Sequence, residues 1–190
     1  MSRQSTRDLI IATADQLFYQ HGFEHTSFAH IADAVNISRG NFYYHFKTKD
    51  EILAAVINLR LANTQAMLDK WYNEAKTPAD RIRSFINILI MNQVKILQFG
   101  CPVGTLTSEL SKLNHTALDD ANQLFNLFRI WLKNQFRELG HKKNADKLAM
   151  HLLARSQGVA NLASAFNDKK FIQQEVKQLH EWLEQYTNNN

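Results

Sequence analysis

Apolar residues along this chain recur three and four positions apart, with little of the two-residue alternation of a half-buried strand. A first helix is expected to begin after Ser5 or Thr6, burying Leu9, Ile10, Ala14, Leu17 and Phe18. His21-Gly22-Phe23 should end it, with Gly22 as a left-handed cap and Phe23 folding back. Phe28, Ile31, Ala32 and Val35 line one face of a second helix, with Thr26 and Ser27 as capping residues. Asn36 tolerates the left-handed conformation of a sharp turn, and Ser38 caps a short third helix in which Phe42 and Phe46 share a face.

Thr48 and Glu51, three apart, form a capping box that opens a long helix. Its apolar side runs through Ile52, Leu53, Val56, Ile57, Thr64, Met67, Leu68 and Trp71 to about Ala75. Thr77 and Pro78 start the next helix, whose stripe reads Ile82, Phe85, Ile86, Leu89, Gln93, Ile96 and Leu97. Gln93 is an amide at a core position, so it needs a partner from a neighbouring helix, water or a ligand. Gly100 to Gly104 should break this helix and lead to a short one from Thr105 to about Leu113. Residues 117–139 form a helix with a wide apolar surface that includes Phe125, Phe128 and Trp131. Residues 145–166 form another, rich in small side chains, and Asn167-Asp168 caps the last. There Ile172, Val176, Leu179, Leu183 and Tyr186 step 4-3-4-3, the spacing of a seam between nearly parallel helices.

The chain is therefore expected to be all-α, and two prolines and six glycines in 190 residues agree. One cysteine excludes an intrachain disulfide and fits a reducing cytoplasm. No apolar run approaches the ~18 residues of a membrane span. The net charge of +4 is uninformative about DNA, because residues 1–60 hold six basic and six acidic residues. Placement says more: Arg3, Arg7, Arg39, Lys47 and Lys49 bracket the two short helices.

The third helix has an unusual outer face. Gly40 and Tyr44 point away from Phe42 and Phe46, with Asn41 and Tyr43 on the flanks. A glycine, an amide and two phenols opposite an apolar pair make sense if something must come close to Gly40, as DNA does to a helix-turn-helix recognition helix.

Thr26-Ser27, Ile31-Ala32, Ile37-Ser38-x-Gly40, Phe42-Tyr43-x-His45-Phe46 and Lys49-Asp50-Glu51 resemble the DNA-binding domain of TetR-type repressors. Asn36 stands where the family mostly has Gly, and Asn41 where Thr or Ser is common. The resemblance implies an N-terminal three-helix domain over residues 1–47 and a C-terminal helical bundle over 48–190 for effector binding and dimerisation. DNA-contacting candidates are Thr26, Ser27, Ser38, Arg39, Gly40, Asn41, Tyr43, Tyr44, His45 and Lys49. Arg39 and Tyr43 are expected near base edges, and Thr26, Tyr44, His45 and Lys49 mainly on phosphates.

An effector cavity among the middle helices is implied in the same way, with Met67, Trp71, Leu89, Gln93, Phe125, Phe128 and Trp131 as candidate lining. Leu152, Val159, Ile172, Val176, Leu179 and Leu183 are expected at or beside a homodimer seam. Cys101 lies in GCPVGTLTSEL, which is similar to a segment of some TetR-family repressors of quinone and electrophile detoxification. It can be read either as a reactive thiol beside the effector or as a small core residue.

The function expected is a repressor that binds a palindromic operator as a homodimer and is released by an apolar or electrophilic effector. The alternative is a DNA-binding regulator without a small ligand. No catalytic or metal-ligating constellation and no cofactor motif is found: there is no pair of Glu-x-x-His motifs set for a di-metal site, no His-Glu-x-x-His, no phosphate loop and no Gly-x-Ser-x-Gly.

Overall fold

A computed structural model describes residues 5–187 and, among them, ten helices and no strand. They are α1 (Thr6–His21), α2 (Phe28–Val35), α3 (Arg39–His45), α4 (Lys49–Glu74), α5 (Pro78–Met91), α6 (Gln93–Phe99), α7 (Pro102–Lys112), α8 (Leu118–Glu138), α9 (Ala145–Phe166) and α10 (Lys169–Glu184). No helix among the described residues is long and apolar enough to cross a membrane. Arg3 lies outside the described residues.

The helices are bounded by the caps their sequences carry. Ser5, Ser27, Ser38 and Thr77 each accept a backbone N–H three residues on, and Asp168 accepts those of Lys170 and Phe171. Asn36 and Asn167 close α2 and α9 in the left-handed conformation. Gly22 ends α1 with φ 87° and ψ 158°, which is positive-φ but outside the left-handed helical well expected of it. At the start of α4, Thr48 accepts the N–H of Glu51 as anticipated, whereas the Glu51 carboxylate accepts from Lys47 rather than from Thr48.

The chain divides into two compact units, residues 1–63 with 105–124, and residues 64–104 with 125–190. The first is built on a core of Ile10, Ala14, Phe18, Phe23, Ile31, Ala32, Phe42, Phe46, Ile52, Leu53, Val56 and Ile57, joined by Leu106 and Leu110 of α7. Ile11 is buried here and Leu9 is exposed, reversing the expectation for Leu9. The second is built on Leu68, Trp71, Ile82, Phe85, Ile86, Leu89, Phe128, Leu132, Phe136 and the inner faces of α9 and α10.

Two helix boundaries differ from the sequence expectation. The single helix through Gln93 is two, because the backbone leaves the helical region at Asn92 (φ −104°, ψ 11°), whose side-chain amide donates to the Ile88 carbonyl. The helix expected from Thr105 begins at Pro102, which occupies the first-turn position where a missing N–H costs nothing.

Candidate nucleic-acid interface

The first unit presents α3 as a two-faced helix. Phe42 and the capping Phe46 are buried, and the Phe42 ring meets Phe28 of α2 at 5.1 Å. Opposite them Ser38, Arg39, Gly40, Asn41, Tyr43 and Tyr44 are exposed, and His45 is half-buried. Tyr44 is 79% exposed, which for a large ring is costly unless something covers it. Tyr43 leans its ring edge on Phe28 at 5.5 Å, so its position is set while half of it stays in solvent. A Cβ built on Gly40 meets nothing within 4 Å, so the surface there is open to a large partner.

Beside α3 lies a cleft of about 250 Å³ lined by Ser27, Phe28, Ala29, Ala32, Arg39, Phe42 and Tyr43. One wall is the start of α2, closed by a capping box in which the third helical residue is a histidine. The Ser27 hydroxyl accepts the His30 N–H at 3.2 Å, and His30 Nδ1 accepts the Ser27 N–H at 3.3 Å. The remaining N–H groups of that turn and the positive helix end favour anions.

Two of the residues expected on phosphates have partners within the protein. Thr26 is 1% exposed, and its hydroxyl donates to the Gly22 carbonyl at 2.7 Å, so it latches the end of α1 instead of facing solvent. The Lys49 ammonium is half-buried and donates to the carbonyls of Phe23 (3.1 Å) and Glu24 (3.3 Å), over the Phe23 ring. Lys47, at the negative end of α3, donates to the Tyr43 carbonyl, and the Arg7 guanidinium sits 4.8 Å from the Phe46 ring centre.

In the second unit, Trp71, Leu89 and Phe128 belong to one buried cluster, with Met67, Cys101, Phe125 and Trp131 packed against it. Trp71 and Trp131 lie 5.9 Å apart, and Phe128 meets Phe85 edge-on at 5.5 Å. Gln93 sits in the first turn of α6 with its amide oxygen buried and without a hydrogen-bond partner. An orphaned acceptor of this kind costs about 1–3 kcal/mol. Cys101 is half-buried and directly precedes α7.

The residues expected at or beside a homodimer seam lie in the core of the single chain. Leu152, Val159, Ile172, Val176, Leu179 and Leu183 are all buried within the single chain. The 4-3-4-3 stripe of α10 is a real seam, but it closes against α5 and α9 of the same chain. What α9 leaves exposed is a different row, Met150, Ala154, Gly158, Leu162 and Phe166, four residues apart.

The sequence model of bacterial regulatory proteins of the tetR family matches residues 10–56, the span from α1 into α4. An uncharacterised helix-turn-helix-type transcriptional regulator of Lactococcus lactis is 30% identical over 124 residues, covering 64% of this chain and 63% of that protein. The chain thus spans slightly less than two thirds of that relative's length. The transcriptional regulator QacR of Staphylococcus aureus is 24% identical over 63% of this chain and 68% of its own. A crystal structure of a TetR transcriptional regulator from Legionella pneumophila superposes with a TM-score of 0.83 at 25% identity, covering 97% of this chain and 98% of the other. These relatives are regulators of transcription, not enzymes. Residues 10–56 thus match the tetR family's N-terminal domain, and the chain as a whole is similar in fold to a TetR transcriptional regulator.

Proposed function

We propose that the protein represses transcription by binding a palindromic operator as a homodimer, and that a small effector releases it. The observation that carries this reading is α3: Phe42 and Phe46 hold it from behind, while Arg39, Gly40, Asn41, Tyr43 and Tyr44 form an exposed face with open space at Gly40. Residues 1–47 would read DNA, with Ser27 and Ser38 at the helix starts near phosphates and His45 at the rim. Residues 48–190 would bind the effector and the second subunit. Two such motifs would sit about 34–36 Å apart to meet successive major grooves. The site of action is the cytoplasm, where the DNA is.

The exposed ridge of α9 supports the homodimer. Met150, Leu162 and Phe166 are large exposed apolar groups, and Gly158 between them allows close approach. An isologous pairing would cover the ridge on both copies. The cluster around Trp71, Phe128 and Gln93 supports a mostly apolar effector with one hydrogen-bond donor for the Gln93 oxygen. Cys101 on the same cluster makes an electrophilic effector the second candidate.

The test is selection of bound fragments from genomic DNA with the purified protein, followed by gel-shift titration. A recovered inverted repeat bound two chains to one site supports the reading. Recovery of no sequence above background, or salt-sensitive binding without sequence preference, refutes it.

A further inference from the structure

The turn between α1 and α2 is gripped from both sides by charged residues far away in sequence. Glu109, on α7, accepts the backbone N–H of Phe23 with one carboxylate oxygen and that of Glu24 with the other, each at 2.9 Å. Lys49, at the start of α4, donates to the carbonyls of the same two residues. Two successive residues thus have their N–H groups on an anion and their carbonyls on a cation, and the peptide between Phe23 and Glu24 is held at both ends. A carboxylate taking two N–H groups is a charge-assisted, directional contact, and it fixes orientation as well as distance.

We infer that Glu109 is a positioning residue for DNA binding, holding the α1–α2 turn so that α2 and α3 are presented in one orientation. The inference rests on the DNA-binding reading above. Three features support it. Glu109 lies between Leu106 and Leu110, both buried in the first unit's core, so its backbone is anchored. Gly22 leaves room for the carboxylate: a Cβ there would come within 3.0 Å of Glu109 Oε1, and its φ of 87° already disfavours a side chain. The held turn connects directly to the start of α2, because Thr26 donates to the Gly22 carbonyl and Ser27 caps the helix.

The core of α1, α2 and α3 is complete without Glu109: Ile10, Phe18, Ile31, Phe42 and Phe46 fill it. The contact therefore governs the angle of presentation more than the existence of the fold. A displacement of α7 by about an ångström would carry both 2.9 Å bonds beyond hydrogen-bonding range.

The experiment uses the full chain with Glu109→Gln, which keeps shape but offers one acceptor and an opposing NH2, and Glu109→Asp, which is too short to reach both amides. Amide exchange at Phe23 and Glu24 is followed by NMR, alongside affinity for the selected operator and for random-sequence DNA. Faster exchange confined to those two amides, with operator affinity down about tenfold or more and random-DNA affinity unchanged, is the result expected. Unchanged exchange overturns the grip. Fast exchange with parental operator affinity overturns the positioning role, and so does global loss of fold in Glu109→Gln. If the parent chain itself binds no selected DNA, the DNA-binding reading fails and takes this inference with it; a parent that binds isolates the result to Glu109.

Discussion

The ring of Phe28 in α2 and that of Phe42 in α3 lie 5.1 Å apart with planes tilted by 52°, and this contact sets how the two short helices cross. Behind it is the core; in front is the exposed row of α3. Phe42→Ala should cost about 3–5 kcal/mol and lower the melting temperature of the first unit together with DNA binding. Tyr44→Ala, at a position almost wholly in solvent, should leave melting unchanged and reduce only DNA affinity. Calorimetry and gel shift on the two variants separate the faces; equal melting would contradict the orientation of α3.

Gly40 gives a sharper version of the same contrast. No atom lies within 4 Å of a Cβ placed there, so Gly40→Ala should stabilise α3 by about 0.5–1 kcal/mol through helix propensity. Gly40→Glu should fold equally well and lose the operator, because its side chain would occupy the space at which DNA must arrive. Operator binding by Gly40→Glu at parental affinity would remove α3 from the interface.

Leu179 and Leu162 should respond differently to a charge. Leu179 is fully buried in the chain's own core, so Leu179→Asp should unfold the second unit rather than release a folded monomer. Leu162→Glu, on the exposed ridge of α9, should keep its circular dichroism and scatter light as a monomer. A folded monomer from Leu179→Asp would reverse this assignment.

Gln93→Leu should raise stability by about 1 kcal/mol, because it removes a buried oxygen that has no donor. If an effector supplies that donor, the variant should also respond to it more weakly. Denaturant melts and effector-dependent release from DNA measure the two separately.

His180 Nε2 donates to Asn87 Oδ1 at 2.9 Å, since the amide oxygen can only accept. Burial lowers the His180 pKa below its usual 6.5, with the Arg83 charge adding and Glu184 opposing. The neutral ring is thus favoured by the fold. Its contribution is complete above about pH 6.5 and declines as pH falls from there through the folded value. Denaturant midpoints between pH 7.5 and 5 should drop less in His180→Gln than in the parent.

Local chemistry made much of this architecture legible in the sequence. Ser27, Asn36, Ser38, Thr77-Pro78 and Asn167-Asp168 announce helix ends because caps act within four residues. Asn92 breaks a helix with neither Gly nor Pro, so composition gave no warning. The stripe of α10 revealed that one face is buried, but periodicity is blind to whether the covering helix is in the same chain. Thr26 has a capping residue's chemistry one position before the true cap, and only burial distinguishes the two. Glu109 has no signature in the sequence, since its partners are 85 and 86 residues away and a lone glutamate on a helix carries no pattern.

The brevity of α3 has a consequence for how the molecule can fail. Seven residues make about two turns, well short of the ~12–15 at which an isolated helix becomes even marginal in water. Its DNA-facing side chains are aligned only because Phe42 and Phe46 are anchored in a core supplied by α1, α2 and α4. A free peptide of residues 38–46 would be a coil and would not compete for the operator. Sequence recognition here is a property on loan from tertiary packing, and heat or denaturant should erase it at the same midpoint at which the first unit melts.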